Sequence, residues 1–270
     1  MERPAWAPQG IDISVPSVSR MYDYYLGGSH NFEVDRHAAR RAMEFMPGLP
    51  AIMKANRAFM RRAVKYALAE GVRQFLDVGS GIPTYGNVHE VAREVAPDTR
   101  VVYVDHDPVA VTHSRAVLDG VPGAGVATAD LRRPAEVLDA PQVAQLLDLK
   151  RPVALLLVAV LHFLEDSDEP YRAVAELRDA LAPGSLLILS HAGYEGVPVP
   201  RERTQAAVDV YRDIRSPIVL RSREETSRFF DGFELVDPGL VTLAQWRPEV
   251  PPAQADPYAS SAFSGVGRKA

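Results

Sequence analysis

The sequence contains no cysteine. That absence removes disulfides, thiolate metal sites, iron–sulfur clusters and cysteine nucleophiles from consideration. Long apolar runs are missing too. The longest, residues 153–161, has nine residues against the roughly 18–20 that a membrane-spanning helix needs, so it reads as a buried strand and no membrane partner is expected. Residues 1–16 show no basic patch followed by an apolar stretch, and the expected location is the cytoplasm. Lysine is scarce, 4 residues against 26 arginines, a skew that fits a GC-rich coding bias and makes no case for RNA binding. Net charge is −5, divided as +3 over residues 1–72 and −8 over the remainder. A broad phosphate-binding surface is disfavoured by that balance, and nucleic acid is not expected as a partner. What is present, 270 residues that are 47% hydrophobic and 24% charged, suffices for one elaborated α/β unit with a sizeable core.

From Val72 onward short β-rich runs alternate with helical stretches, the pattern of a parallel sheet covered by helices. Strands are predicted at 74–78, 100–105, 125–129, 153–161 and 185–191, then at 233–236 and 241–246. Helices are predicted at 87–95, 108–118, 134–147, 169–181, 201–213 and 222–230. Only residues 237–240 separate the last two strands, too few for a crossover helix, so an antiparallel hairpin is expected at one edge. The fold class is therefore α/β: a Rossmann-like, seven-stranded, mostly parallel sheet over residues 72–250, ending in an antiparallel hairpin. Residues 1–71 carry no strand pattern and read as a helical cap, with helices at 17–26, 35–45 and 51–70. The last has an apolar stripe at Ile52, Ala55, Phe59, Ala63 and Tyr66, while Arg57, Arg61 and Lys65 on its other side read as a solvated face. Residues 251–270, rich in Pro, Ala, Ser and Gly, are expected to be poorly ordered.

The first strand ends in Asp77-Val78-Gly79-Ser80-Gly81. Glycines at a strand exit let the backbone approach a ligand at the carboxyl end of the sheet; the alternative is a tight strand–helix turn. A nicotinamide fingerprint would need glycine at position 84, which is Thr84. Strand two ends at Asp105, whose carboxylate can accept both ribose hydroxyls of an adenosine laid across the strand ends. The helix cap that follows is better assigned to Asp107, just before Pro108. Strand three ends at Asp130, placed to accept from an adenine amino group or to cap a turn. Glycine, acid and acid at three consecutive strand ends point to an adenosine-containing ligand without a pyrophosphate. No His-x-x-x-His or clustered carboxylate–histidine spacing emerges, so no metal site is expected.

With these residues in order, followed by the Leu161-His162-Phe163 strand exit and Leu181-Ala182-Pro183-Gly184 before strand five, the chain resembles the class I S-adenosylmethionine-dependent methyltransferases over about residues 72–247. Within that class it is similar to one bacterial family. The resemblance lies in Tyr22-Asp23-Tyr24-Tyr25-Leu26-Gly27-Gly28 with Asn31-Phe32 and Asp35, then in Gly81-Ile82-Pro83-Thr84 and Asn87-Val88-His89-Glu90. That family was long catalogued as a domain of unknown function and later named S-adenosyl methyltransferase. The resemblance implies S-adenosylmethionine as cofactor, with contacts at Gly79, Ser80, Gly81, Asp105, His106, Asp130, Leu131 and Ala159, and methyl transfer to a small-molecule oxygen or nitrogen acceptor. One departure is Pro83, where the class has a third glycine. The loop is expected to enter its helix late, with Asn87 as N-cap and Glu90 at the third helical position.

The cap supplies a candidate lid. Tyr22, Tyr24 and Tyr25 present aromatic faces suited to a sulfonium, with Gly27-Gly28 as hinge and Asn31 beside them; ordinary packing of cap on sheet is the alternative. Arg20 and Arg57 are candidates for the cofactor's methionine carboxylate, or are solvated. His162 is the candidate catalytic base for a hydroxyl or amine acceptor, or a histidine hydrogen-bonded inside the fold, and His191 is a second candidate for the same role. Two rival functions remain: a nicotinamide-dependent oxidoreductase, which Thr84 and the hairpin disfavour, and a non-catalytic S-adenosylmethionine-binding regulatory module. A homodimer is left open.

Overall fold

The computed structural model describes residues 12–83, 86–249, 251 and 255–270. Thr84 and most of the N-terminal segment on which the export reading rests lie outside the described residues. Among the described residues no helix is long and apolar enough to cross a membrane.

Three helices come first: α1 (Val18–Tyr25), α2 (Glu33–Phe45) and α3 (Leu49–Ala69). The alternating unit follows as β1 (Gln74–Val78), α4 (Val88–Val95), β2 (Arg100–Asp105), α5 (Pro108–Val117) and β3 (Ala124–Thr128). It continues through α6 (Pro134–Leu138), α7 (Pro141–Leu146), β4 (Ala154–Val158), α8 (Pro170–Asp179) and β5 (Leu186–Ala192). The chain closes with α9 (Arg201–Asp213), α10 (Arg223–Ser227), β6 (Phe233–Leu235), β7 (Val241–Thr242) and β8 (Ala262–Lys269).

The strands form one sheet in the order β3-β2-β1-β4-β5-β8-β6, with β7 beside β8. Strands β1 to β5 run parallel, so both faces must be covered and the strands are apolar on both sides. Phe75, Leu156 and Ile188 point into one core together with Phe59 of α3, while Leu76, Leu155 and Leu187 point into the other with Leu177 of α8. Successive strands are added on one side from β1 to β3 and on the other side from β4 onward, and the crevice at such a switch point is where open α/β sheets hold ligands.

Local sequence explains the entries to this crevice. Asp107 caps α5 by accepting from the Val109 N–H at 2.8 Å, with Pro108 in the first turn. The late entry into α4 is as expected, since the Gly86 and Asn87 N–H groups donate to Glu90 Oε2 at 2.7 and 2.9 Å. The stretch 134–147 is two helices, because Pro141 cannot continue the hydrogen-bond ladder of α6. The run 153–161 is longer than its strand. β4 stops at Val158, Ala159 takes φ +57°, and a tight turn at Leu161–Phe163 follows, buried but not extended.

The C-terminal expectations are corrected. β6 and β7 do not pair with each other; each pairs antiparallel with β8, which lies between β5 and β6 and matches β5 over seven residue pairs. Residues 262–269, expected in a poorly ordered tail, thus form an interior strand. Their small residues are there for packing. A Cβ on Gly267 would lie 2.8 Å from Phe233 Cβ, and one on Gly265 would lie 3.1 Å from the Phe230 ring. The preceding turn also docks: the Tyr258 ring occupies the space that a side chain at Gly48 would fill.

Candidate active site

β1, β2, β3 and β4 end at one edge of the sheet, with α1, α3 and α9 standing over it, and a cavity of about 450 Å³ runs between the two. All eight residues implied as cofactor contacts border it: Gly79, Ser80 and Gly81 after β1, Asp105 and His106 after β2, Asp130 and Leu131 after β3, and Ala159 after β4.

The two loop glycines answer different constraints. Gly79 has φ +75°, and a Cβ there would stand 2.3 Å from Val160 Cγ2, so packing between adjacent strand exits excludes a side chain. Gly81 has φ +67°, but a Cβ there would meet nothing within 4 Å; the position opens onto the cavity. The Gly81 N–H donates to Asp105 Oδ2 at 2.7 Å, and Asp105 Oδ1 accepts from Asp107 N–H at 2.8 Å. Asp105 therefore ties the glycine loop to the next strand exit. Burial raises its pKa, opposed by the two backbone hydrogen bonds. Asp130 pairs with Arg132, 2.6 Å from its Nη2, so its carboxylate is already shared with a neighbouring cation. His106 is mostly exposed, 3.7 Å from Asp105.

The cap side holds Tyr22, Tyr25, Asn56 and Arg57. Asn56 Nδ2 donates to the Tyr22 hydroxyl at 3.0 Å, and Asn56 Oδ1 accepts from Ser190 Oγ at 2.6 Å. Ser190 Oγ in turn accepts from the N–H of Ala159 at 3.0 Å, holding a left-handed alanine that costs about 1–3 kcal/mol unless its surroundings fix it. Arg57 lies over the Tyr22 ring at 5.6 Å, and its Nε is buried without a hydrogen-bond partner. Close by, burial raises the Asp77 carboxyl to about 7, with the Arg57 cation pulling it down and Asp105 pushing it up. An orphaned guanidinium donor, a carboxyl poised for a cation and an open glycine cradle are what an adenosyl amino acid requires, so these residues fit S-adenosylmethionine.

Three cap residues are corrected. Arg20 is buried, paired with Asp35 at 2.9 Å and stacked 5.1 Å over Phe32, so it holds α1 to α2 and does not border the cavity. Asn31 donates to Asp23 Oδ2 at 2.8 Å and to Gly28 O at 3.0 Å, bracing the turn after α1. Tyr24 faces away from the cavity, with its hydroxyl beside Arg40 of α2. Gly28 is no hinge: a Cβ there would fall 2.0 Å from Asp23 Oδ1, so the glycine is a close approach.

His162 borders the cavity, with burial and then the Arg221 cation lowering its pKa to about 3. It is a neutral imidazole at neutral pH, and a pKa pushed this low makes it a weak base there. His191 is committed on both nitrogens. Nδ1 donates to Ala192 O at 2.8 Å and Nε2 accepts from Arg221 Nη1 at 3.1 Å, so it is a structural histidine and not a second base. Sequence reasoning missed Asp77, Asn56, Ser190 and Tyr211 as cavity residues. Asn56 had a signal: it falls between Ile52 and Phe59 on the buried stripe of α3, where a polar residue needs a partner. Among the described residues no group of acids and histidines could hold a metal ion.

Comparison with known proteins adds a family. A family model described as S-adenosyl methyltransferase matches residues 4–270. A crystal structure of a candidate methyltransferase from Thermobifida fusca YX is 42% identical, covers 98% of this chain and 99% of that one, and superimposes with a TM-score of 0.92. A DUF574 family protein from Streptomyces avermitilis MA-4680 is 38% identical over 96% of this chain and 99% of that one, with a TM-score of 0.91. The CurJ carbon methyltransferase shares the fold alone, at 14% identity over 89% of this chain and 72% of that one, TM-score 0.50. No curated protein matches the sequence.

Proposed function

The chain belongs to the S-adenosyl methyltransferase family and is an S-adenosylmethionine-dependent methyltransferase; on that premise we propose that its cavity takes cofactor and a small-molecule acceptor end to end. The cofactor supplies an electrophilic methyl on a sulfonium. The observation that carries the reading is the continuity of the cavity from the glycine loop and strand ends to an apolar chamber bordered by Met46, Leu49, Met53, Met60 and Val208.

In this reading Gly79, Ser80 and Gly81 bring backbone against the cofactor, while Asp105 receives the ribose hydroxyls and Asp130, Leu131 and His106 flank the adenine. Ala159 floors the site near the reacting centre. Arg57 pairs with the methionine carboxylate through the donor that the protein leaves unused. Asp77 faces the ammonium. The cap helices α1 and α3 close the chamber, and positioning of the acceptor supplies most of the rate, as it does when reacting groups are held at effective molarities of about 10⁵–10⁸ M. His162 orients the acceptor as a neutral donor.

The test contrasts two arginines by calorimetry with S-adenosylhomocysteine. Arg57→Ala is expected to weaken binding about 10–100-fold, the cost of one charge-assisted contact. Arg20→Ala is expected to lower thermal stability and leave the affinity of the folded protein unchanged. Equal affinity for Arg57→Ala and the native chain refutes the placement.

A further inference from the structure

The chamber half of the cavity is built to receive lone pairs. None of the residues of α1, α3, α9 or 215–220 that border it is Asp or Glu; the bordering carboxylates, Asp77, Asp105, Asp130, Glu165 and Asp168, all belong to strand ends or to the loop after β4. Donors, by contrast, are in surplus.

The Tyr25 and Tyr211 hydroxyls lie 2.9 Å apart, both rings buried. Burial raises both phenols, Tyr211 to about 12, so the pair keeps both protons. Only one proton can lie between the two oxygens. The other has no acceptor among the described residues. At His162, the Ala192 N–H donates to Nδ1 at 3.4 Å, which puts the ring proton on Nε2, again without an acceptor among the described residues. The His162 ring packs on Phe163 at 4.5 Å and Phe163 on Tyr211 at 6.4 Å, so these donors share one wall. Arg215, exposed at the cavity's rim with φ +59°, makes no ion pair among the described residues.

We propose that the methyl acceptor is an acidic oxygen, a carboxylate or an acidic phenol on a small and largely apolar molecule, bound in this chamber as its anion. The inference rests on the methyltransferase reading above. A buried anion is stabilised by unspent donors, whereas α1, α3, α9 and residues 215–220 offer a cationic amine no carboxylate, the bordering Glu165 and Asp168 lying in the loop after β4. The chemistry balances without a base. A lone pair of the oxyanion forms the new C–O bond as the S–CH₃ bond breaks, and the electron pair of that bond stays on sulfur. The negative charge of the acceptor and the positive charge of the sulfonium cancel, and no proton moves. This fits a strand-exit histidine that is neutral and offers its one ring proton as a donor.

Calorimetry of the full chain with benzoate, benzyl alcohol and benzylamine as probes tests the proposal, with S-adenosylhomocysteine titrated separately into the same protein. Benzoate is expected to bind at least about tenfold more tightly than either isostere. The double variant Tyr25→Phe/Tyr211→Phe, which removes the spare proton that either single variant would leave in place, is expected to lose about tenfold in benzoate affinity, equivalent to about 1.4 kcal/mol, and to keep its S-adenosylhomocysteine affinity. Benzylamine or benzyl alcohol binding as tightly as benzoate, no benzoate binding at millimolar concentration, or a double variant with native benzoate affinity overturns it. Should the double variant fail to fold, the ranking of the three probes on the native chain decides. Loss of S-adenosylhomocysteine binding by the native chain overturns the underlying methyltransferase reading instead, whatever the probes do.

Discussion

Ser190 Oγ donates to Asn56 Oδ1 at 2.6 Å, a buried hydrogen bond that joins β5 to α3 across 134 positions of sequence. Tyr22 hangs on one end of this line and the Ala159 N–H on the other, so the cap and the strand exits are held by shared partners. Ser190→Ala leaves Asn56 Oδ1 buried without its donor. The expected cost is about 1–3 kcal/mol in denaturant unfolding, and Asn56→Ala in the Ser190→Ala background should add less than it does alone, because the two residues share one interaction. Strict additivity in that cycle contradicts the coupling.

Asp77 links cofactor binding to pH. Its carboxyl titrates at about 7 in the free protein, and a ligand that brings positive charge beside it lowers that value. Below pH 7 binding must then expel a proton, so affinity for S-adenosylmethionine should rise as pH increases toward 7, by up to about tenfold per unit, and level off above it. Asp77→Asn should bind more weakly and flatten the profile. Calorimetry in buffers of different ionisation enthalpy measures the proton release directly.

His162 works in the opposite pH range. Its folded pKa, about 3, lies below the unfolded value of roughly 6.5, so the unfolded chain binds a proton that the folded chain refuses. The stability this histidine contributes is present above pH 6.5 and lost as pH falls toward 3, with a slope of up to about 1.4 kcal/mol per pH unit. The native chain should therefore lose ground to His162→Gln as acid is added. Parallel unfolding curves at pH 7 and pH 5 check this; a constant gap between the two proteins argues that His162 remains protonatable.

β8 is expected to be indispensable. Ending the chain at Ser261 removes β8 from between β5 and β6 and unpairs seven positions of β5. Loss of the cooperative thermal transition is the anticipated result. A shortened chain that melts like the native one contradicts the sheet order.

The sequence made the parallel half legible because each strand end there carries its own marker. Predicted and observed limits of β1 and β2 agree at Gly79's approach and at Asp105, and Asn87 with Glu90 announced the late start of α4. The end of the chain was illegible for a physical reason. Gly265 and Gly267 read as loop residues, yet they are small because Phe230 and Phe233 pack over them, and no local pattern reveals a partner about 35 residues away. Arg20 and Arg57 are equally basic in sequence, and only burial against Asp35 separates a structural ion pair from a cation left over for a ligand. The nicotinamide alternative and the purely sensory one give way to the family match over residues 4–270.

Gly81 offers the most direct measurement on the cofactor site. A Cβ there would meet nothing within 4 Å, so the branched side chain of Gly81→Val would project into cavity space rather than into protein, at a backbone cost of about 1–2 kcal/mol for the left-handed conformation. With thermal melting confirming a folded variant, calorimetry should show S-adenosylhomocysteine bound by the native chain and binding lost in Gly81→Val. A folded Gly81→Val that binds as tightly as the native chain would contradict the placement of the cofactor over the strand ends.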